Sequence, residues 1–195
     1  MLPILFYRIK DSILKIGTKW DKAALNETNV IEYAEQNINK EPSRYHLDNP
    51  NRFSYEYCLA SSAESINNRY RHNQINATDQ LISDTIDSYK TNMDLIVYRG
   101  VYEPIFYLMK TNAKSHSGID LYEKGFMCTS LIKNCELQYK TKLRIFVPAG
   151  TKAIYMGNVN YELHKFYELT IQHDAALKII SIDKDYINCK LVRTS

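Results

Sequence analysis

Three short segments hold the residue types that could do chemistry: Tyr98-Arg99-Gly100 closing an apolar run, Gly125-Phe126-Met127-Cys128-Thr129-Ser130 in mid-chain, and Phe166-Tyr167-Glu168 opening a late alternating run. In an extended strand successive side chains point to opposite faces. Leu95, Val97 and Arg99 therefore share a face and put a guanidinium at the end of an apolar row. A guanidinium taken out of water needs an anion, and its planar fork matches a diphosphate. The same alternation sets Tyr167, Leu169 and Ile171 on one side and Glu168, Thr170 and Gln172 on the other. Glu168 then stands on the polar face at a strand mouth, where a carboxylate can stabilise an oxocarbenium-like ribose and bond its 2′-hydroxyl. The hydroxyls of Thr129 and Ser130, or the Cys128 thiol, can orient that carboxylate and the sugar. Each segment alone also fits a plainer reading: a strand-end ion pair, hydroxyl pairing across strands, a solvated rim glutamate.

The elements that must position these groups change character along the chain. The first ninety residues have a helical rhythm. From Thr28 onward Val30, Ile31, Ala34 and Ile38 fall on one side of a helix, with Asn26 or Thr28 as its cap; a second helix covers about 55–71. A third starts after Asn76 or Thr78 and lines up Leu81, Ile82, Thr85, Ile86 and Tyr89. Leu95 to Arg99 reads as a buried strand, followed after Pro104 by a short helix over 105–109. Strands are expected over 126–131, 142–147, 152–156, 167–172, 177–182 and 186–192, punctuated by Pro148-Ala149-Gly150, Gly157-Asn158 and Asp183-Lys184-Asp185. Strands and helices do not alternate regularly, which argues against a doubly wound parallel sheet.

Composition narrows the function classes. At 195 residues the chain suits a single domain, with a helical lobe over about 1–92 and a β-rich core over about 93–195. A charge of +3 without a basic block gives no support to nucleic-acid or membrane-surface binding. No apolar stretch approaches the roughly 20 residues that span a bilayer, and the apolar patch within residues 2–7 lacks the flanks of a secretory signal. Cys58, Cys128, Cys135 and Cys189 show no zinc-ligand spacing, so no metal is expected and the thiols are read as reduced. Sixteen tyrosines suit strands, grooves and partner surfaces as well as core. His46, His72, His116 and His173 lie apart without ligand spacing, and Trp20 is read as a packing residue of the first helices.

In order and setting the three segments resemble the arginine-serine-glutamate group of mono-ADP-ribosyltransferase toxins, in particular clostridial Rho-modifying exoenzymes and the catalytic parts of binary actin toxins. Ser65-Ile66-Asn67-Asn68-Arg69-Tyr70-Arg71 is similar to the helical segment from which that family presents an Asn and, four residues on, an Arg. The run 143–153 is similar to its strand, turn and strand ahead of the acceptor-recognition loop, and the likeness extends over roughly 18–182. The resemblance implies an α+β fold in which an N-terminal helical lobe packs on a two-sheet mixed β core, with NAD as co-substrate in the cleft between them. It implies catalytic roles for Glu168, Ser130 and Arg99, and NAD contacts from Asn67, Arg71, Tyr98, Arg99, Gly100, Thr129 and Ser130. Lys140 would be the basic residue of a loop over 131–142, and Tyr161, His164 and Phe166 would meet the acceptor. It further implies a monomer, exported or injected from a bacterium, whose target is a host cytosolic protein such as a small GTPase, actin or ubiquitin.

Two residues depart from the family pattern. Cys128, a weak hydrogen-bond donor, opens the group where serine is usual. Phe166 stands two residues before Glu168, where Glu serves arginine acceptors and Gln serves asparagine acceptors. Phenylalanine can neither accept a proton nor bond a guanidinium, so an arginine acceptor is disfavoured. A Ser or Thr hydroxyl, or water in an NAD glycohydrolase, fits better, and an inactive relative that still binds NAD or a protein is the rival of another class.

Overall fold

The apolar run that ends at Arg99 becomes strand β1 (Leu95–Val101), buried at every position. The computed structural model describes residues 24–42, 54–158 and 165–195. Leu95 and Val97 enter the main core, while Ile96 and Tyr98 pack with Phe146 and Tyr186 in a separate cluster. The remaining strands are β2 (Leu121–Glu123), β3 (Met127–Ser130), β4 (Thr141–Val147), β5 (Ala153–Gly157), β6 (Glu168–Ile171), β7 (Ala175–Ile182) and β8 (Ile187–Arg193). They run in the order β2-β7-β8-β4-β1-β3-β6-β5, with β4 and β8 parallel and the other neighbours antiparallel. The fold is α+β with a mixed sheet. β1 pairs with β4 along its whole length but with β3 only at Tyr98↔Ser130. The two expected sheets are thus parts of one hydrogen-bonded order joined at a one-residue seam, which lies where Arg99, Ser130 and Glu168 meet.

Four helices are seen among the described residues: α1 (Val30–Asn37), α2 (Tyr55–Arg71), α3 (Ala77–Asp87) and α4 (Glu103–Ala113). A capping box starts α3: Asn76 Oδ1 accepts from the Asp79 amide at 2.9 Å, and Asp79 Oδ2 accepts from the Asn76 amide at 3.1 Å. Arg69 forks onto the same Asp79 carboxylate and so fastens the end of α2 to the start of α3. Ile82 and Ile86 pack with Leu59, Ile66, Tyr70 and Phe126. Each such side chain contributes roughly 1.5–3 kcal/mol when fully buried. Ile31 and Leu81, expected on buried faces, are instead 43% and 44% exposed, because each helix uses a narrower stripe, Val30/Ala34 and Ile82/Ile86. Within α2 the backbone leaves helical geometry at Ser62, with φ −136° and ψ 19°, and this kink separates Tyr55–Ser61 from the half that carries Asn67 and Arg71.

Side chains pin the helices to the sheet. His173, after β6, places Nε2 3.1 Å from Ser83 Oγ of α3 and Nδ1 2.8 Å from Asp174 Oδ2. Its connectivity matches that of a hydrolytic triad, but Ser83 and His173 are buried and the imidazole packs at a tilt against Tyr70 and edge-on to Phe126. It therefore serves as a polar lock between layers. At the outer edge, Asn39 donates to the Tyr155 carbonyl at 2.9 Å and accepts from its amide at 2.7 Å, which caps strand β5 with a single amide side chain.

Candidate active site

Arg99 lies where the alternation of β1 puts it, at the end of the Leu95/Val97 row, and its side chain is about 90% buried. Its Nη2 meets Glu123 Oε2 at 2.9 Å. Arg71, at the end of α2, forks onto the same carboxylate through Nε and Nη2, both at 2.9 Å, and the Gly125 amide adds a bond at 3.0 Å. Burial alone would raise the Glu123 carboxyl; Arg99, Arg71 and Gly125 together outweigh it and hold the group below the usual carboxylate range. Arg99 Nη1 is buried with no hydrogen-bond partner among the described residues. A buried N–H left without an acceptor is costly, and an anion in the adjoining cleft would satisfy it.

The second wall is the ladder of β3 and β6, in which Ser130 faces Glu168 and Cys128 faces Thr170. Alternation therefore sends Cys128, Ser130, Glu168 and Thr170 to one face, while Thr129 turns the other way and donates to the Leu169 carbonyl at 2.7 Å. Ser130 does not bond Glu168. Its hydroxyl donates to the Ile132 carbonyl at 2.8 Å and accepts from the Ile132 amide at 3.0 Å, closing the turn after β3. The group that holds Glu168 is Thr170, whose Oγ1 donates to Oε1 at 2.8 Å. Burial pushes the Glu168 carboxyl up, and bonds from Thr170 and Cys128 with the charge of Arg99 offset that only in part. Burial, reinforced by the Glu168 charge, pushes the Cys128 thiol to about 12, so it is a neutral neighbour and no nucleophile. Tyr167, with φ 45°, takes the left-handed conformation rare for a bulky residue. Its amide bonds Asn158 Oδ1 at 2.9 Å and its carbonyl accepts from Leu131 at 3.0 Å, and these bonds set the start of β6 and hence the aim of Glu168.

Between these walls lies a cleft of about 770 Å³, a volume suited to a small-molecule ligand. Asn67 and Arg71 line it from α2, Tyr98, Arg99 and Gly100 from β1, Thr129 and Ser130 from β3, and Phe166 and Glu168 from the start of β6. Of the ten site residues singled out in the sequence that lie among the described residues, the structure thus brings nine to this cleft. Asn67 Oδ1 is already committed to the Phe126 amide at 2.7 Å. Lys140 is exposed and does not line the cleft; Leu137 and Tyr139 of its loop do. A Cβ on Gly100 would collide with the Leu137 carbonyl, so only glycine lets that loop lie against β1. The basic residue engaged by the loop is Lys142, which pairs with Glu136 at 3.0 Å. Tyr161 and His164 lie outside the described residues. Glu123 and Thr170 went unassigned in the sequence: three-residue β2 is too short to show a period, while Thr170 was legible as sharing the face of Glu168.

The model of the ADP-ribosyltransferase exoenzyme family matches residues 36–193. No curated protein sequence matches the chain at a significant level. Among solved structures, Plx2a, an ADP-ribosyltransferase toxin from Paenibacillus larvae, superposes with a TM-score of 0.57 at 18% identity, over 94% of this chain and 96% of that one. The Clostridium limosum C3 exoenzyme gives 0.58 at 17% identity, over 89% and 100%. C3stau2 of S. aureus, solved with NAD, gives 0.54 at 16% identity, over 91% and 94%. At these identities the structures establish the shared fold, and the family model extends over most of the sequence. The chain belongs to the ADP-ribosyltransferase exoenzyme family.

Proposed function

We propose that this protein is a mono-ADP-ribosyltransferase that cleaves NAD and passes ADP-ribose to a hydroxyl side chain of a target protein. The single observation that carries the reading is the meeting of Arg99, with an unsatisfied buried N–H, and Glu168, raised by burial, in one cleft sized for a dinucleotide. When bound, NAD supplies an ADP-ribosyl group joined to a nicotinamide leaving group. Arg99 and Arg71 hold the diphosphate through the parts of their guanidiniums that Glu123 leaves open. Glu168 stabilises positive charge as it develops on the ribose, and Thr170 fixes the carboxylate that does so. Ser130 acts by building the turn that lets Glu168 face Tyr98 across β3, since its own hydroxyl is engaged with Ile132. Phe166 lines the cleft beside Glu168 and offers no base to an arginine acceptor.

The same apolar residue favours a second reading, transfer to water, which makes the protein an NAD glycohydrolase. Incubation with labelled NAD and a host-cell lysate separates the two. Label on a protein, lost in Glu168→Ala, supports the transferase; free ADP-ribose alone supports the glycohydrolase; neither product with a folded wild type sinks both. By family likeness the target is a host cytosolic protein such as a small GTPase, actin or ubiquitin, reached by export or injection, and the enzyme works as a monomer without metal.

A further inference from the structure

Glu123 is a buried charge behind the cleft, 1% exposed, and it does not line the cleft itself. Its two oxygens receive four N–H groups from three parts of the chain: two from Arg71 of α2, one from Arg99 of β1 and one from the Gly125 amide just beyond β2. A guanidinium is rigid and planar, so tying back Nη2 of Arg99 fixes the direction of Nη1. That nitrogen is the one buried without a partner among the described residues. The carboxylate also cancels one of two positive charges at the spot where an anion is to bind. It therefore aligns the arginines while weakening their pull.

We propose that Glu123 is a positioning residue for ADP-ribosyl transfer, one that presents the free edge of Arg99 to the diphosphate from behind the cleft wall. The inference rests on the transferase reading above for its catalytic arm and on the geometry alone for its binding arm. It predicts that affinity and turnover move in opposite directions when the charge is removed, a pattern that a merely structural residue does not produce.

Glu123→Gln keeps the shape of the side chain and discards its charge. Titration calorimetry with NAD should show binding about fivefold tighter, since the cluster changes from one net positive charge to two. Nicotinamide release at saturating NAD should fall about 100-fold, the scale of a misplacement near 1 Å. Affinity that is unchanged or weaker overturns the proposal, as does an unchanged saturated rate. Should Glu123→Gln fail to melt cooperatively, Glu123→Asp keeps the charge but withdraws it by one methylene. Its NAD affinity should stay within about twofold of wild type while its saturated rate drops about tenfold, and an undiminished rate rejects the idea. A wild type that binds NAD but releases no nicotinamide removes the transferase reading, and the calorimetric arm still decides whether Glu123 restrains the arginines.

Discussion

Glu123 and Glu168 flank the same arginine, yet the fold puts them in opposite electrostatic states. Glu123, at the end of β2, is enclosed by two guanidiniums and an amide, and its carboxyl is held low. Glu168, at the start of β6, has burial against it and only a threonine, a thiol and the more distant Arg99 in its favour, so its carboxyl is raised. The residue type is identical, and the number of cations within reach decides the outcome. A satisfied carboxylate has little left to offer a substrate. One that is poorly compensated gains from any positive charge that forms beside it, as a ribosyl cation would.

Glu168→Gln removes the raised carboxylate and is expected to have the largest effect. Nicotinamide release should fall about 10³-fold, the upper range for removing one electrostatic stabiliser of a transition state. The same variant should melt at a higher temperature near neutral pH. A raised native carboxyl means that the folded state binds more protons than the unfolded one, so Glu168 loses stability as pH climbs from the unfolded glutamate value towards its own, and a neutral side chain escapes that loss. Calorimetric melts of both proteins at pH 7 check the sign, and a lower melting temperature contradicts it.

Arg99→Lys comes next. A lysine ammonium is a point charge without the planar fork that serves Glu123 and a diphosphate together. NAD affinity measured by calorimetry should weaken about 30-fold, within the roughly 1.5–3 kcal/mol of a charge-assisted bond.

Thr170→Val sharpens the contrast by removing the one hydroxyl that favours ionised Glu168. Turnover should fall about tenfold, and the acid limb of the rate profile should move to higher pH because the charged form loses a hydrogen bond. A limb that stays in place means that Thr170 does not hold the carboxylate in solution.

The smallest effect is expected from Arg71→Gln on acid unfolding. Glu123 contributes stability above the unfolded glutamate value of about 4.3 and forfeits it as pH drops through its depressed native value. Loss of Arg71 leaves the carboxyl less depressed, so unfolding followed by circular dichroism should begin a few tenths of a pH unit higher.

Much of the scaffold was legible in the chain because local rules governed it. Apolar, β-rich runs became β1 and β4–β8 within a residue or two, and the helix over 55–71 appeared where its period placed it. The exceptions have local causes. Leu81 sits next to the buried stripe but outside it, and α4 continues to Ala113, beyond the expected 109, because nothing in Lys110-Thr111-Asn112 stops a helix. β2 has three residues, too few for a period, and its status as a strand comes wholly from pairing with β7.

Within the site, the faces taken by Arg99 and Glu168 followed from the sequence, since side-chain alternation is a property of any extended backbone. Which hydroxyl holds Glu168 did not. Alternation already sets Thr170 on the face of Glu168, but Ser130 reaches that face only through the antiparallel register, and the turn at Ile132 engages its hydroxyl and leaves the bond to Thr170. Nor could the chain announce that Glu123, more than twenty residues from Arg99 and fifty from Arg71, would be their shared counter-ion. Alternation and periodicity are set by neighbours along the backbone, and the sequence determines them by itself. Charge pairing and desolvation depend on which distant groups are enclosed together, and those only the tertiary structure decides.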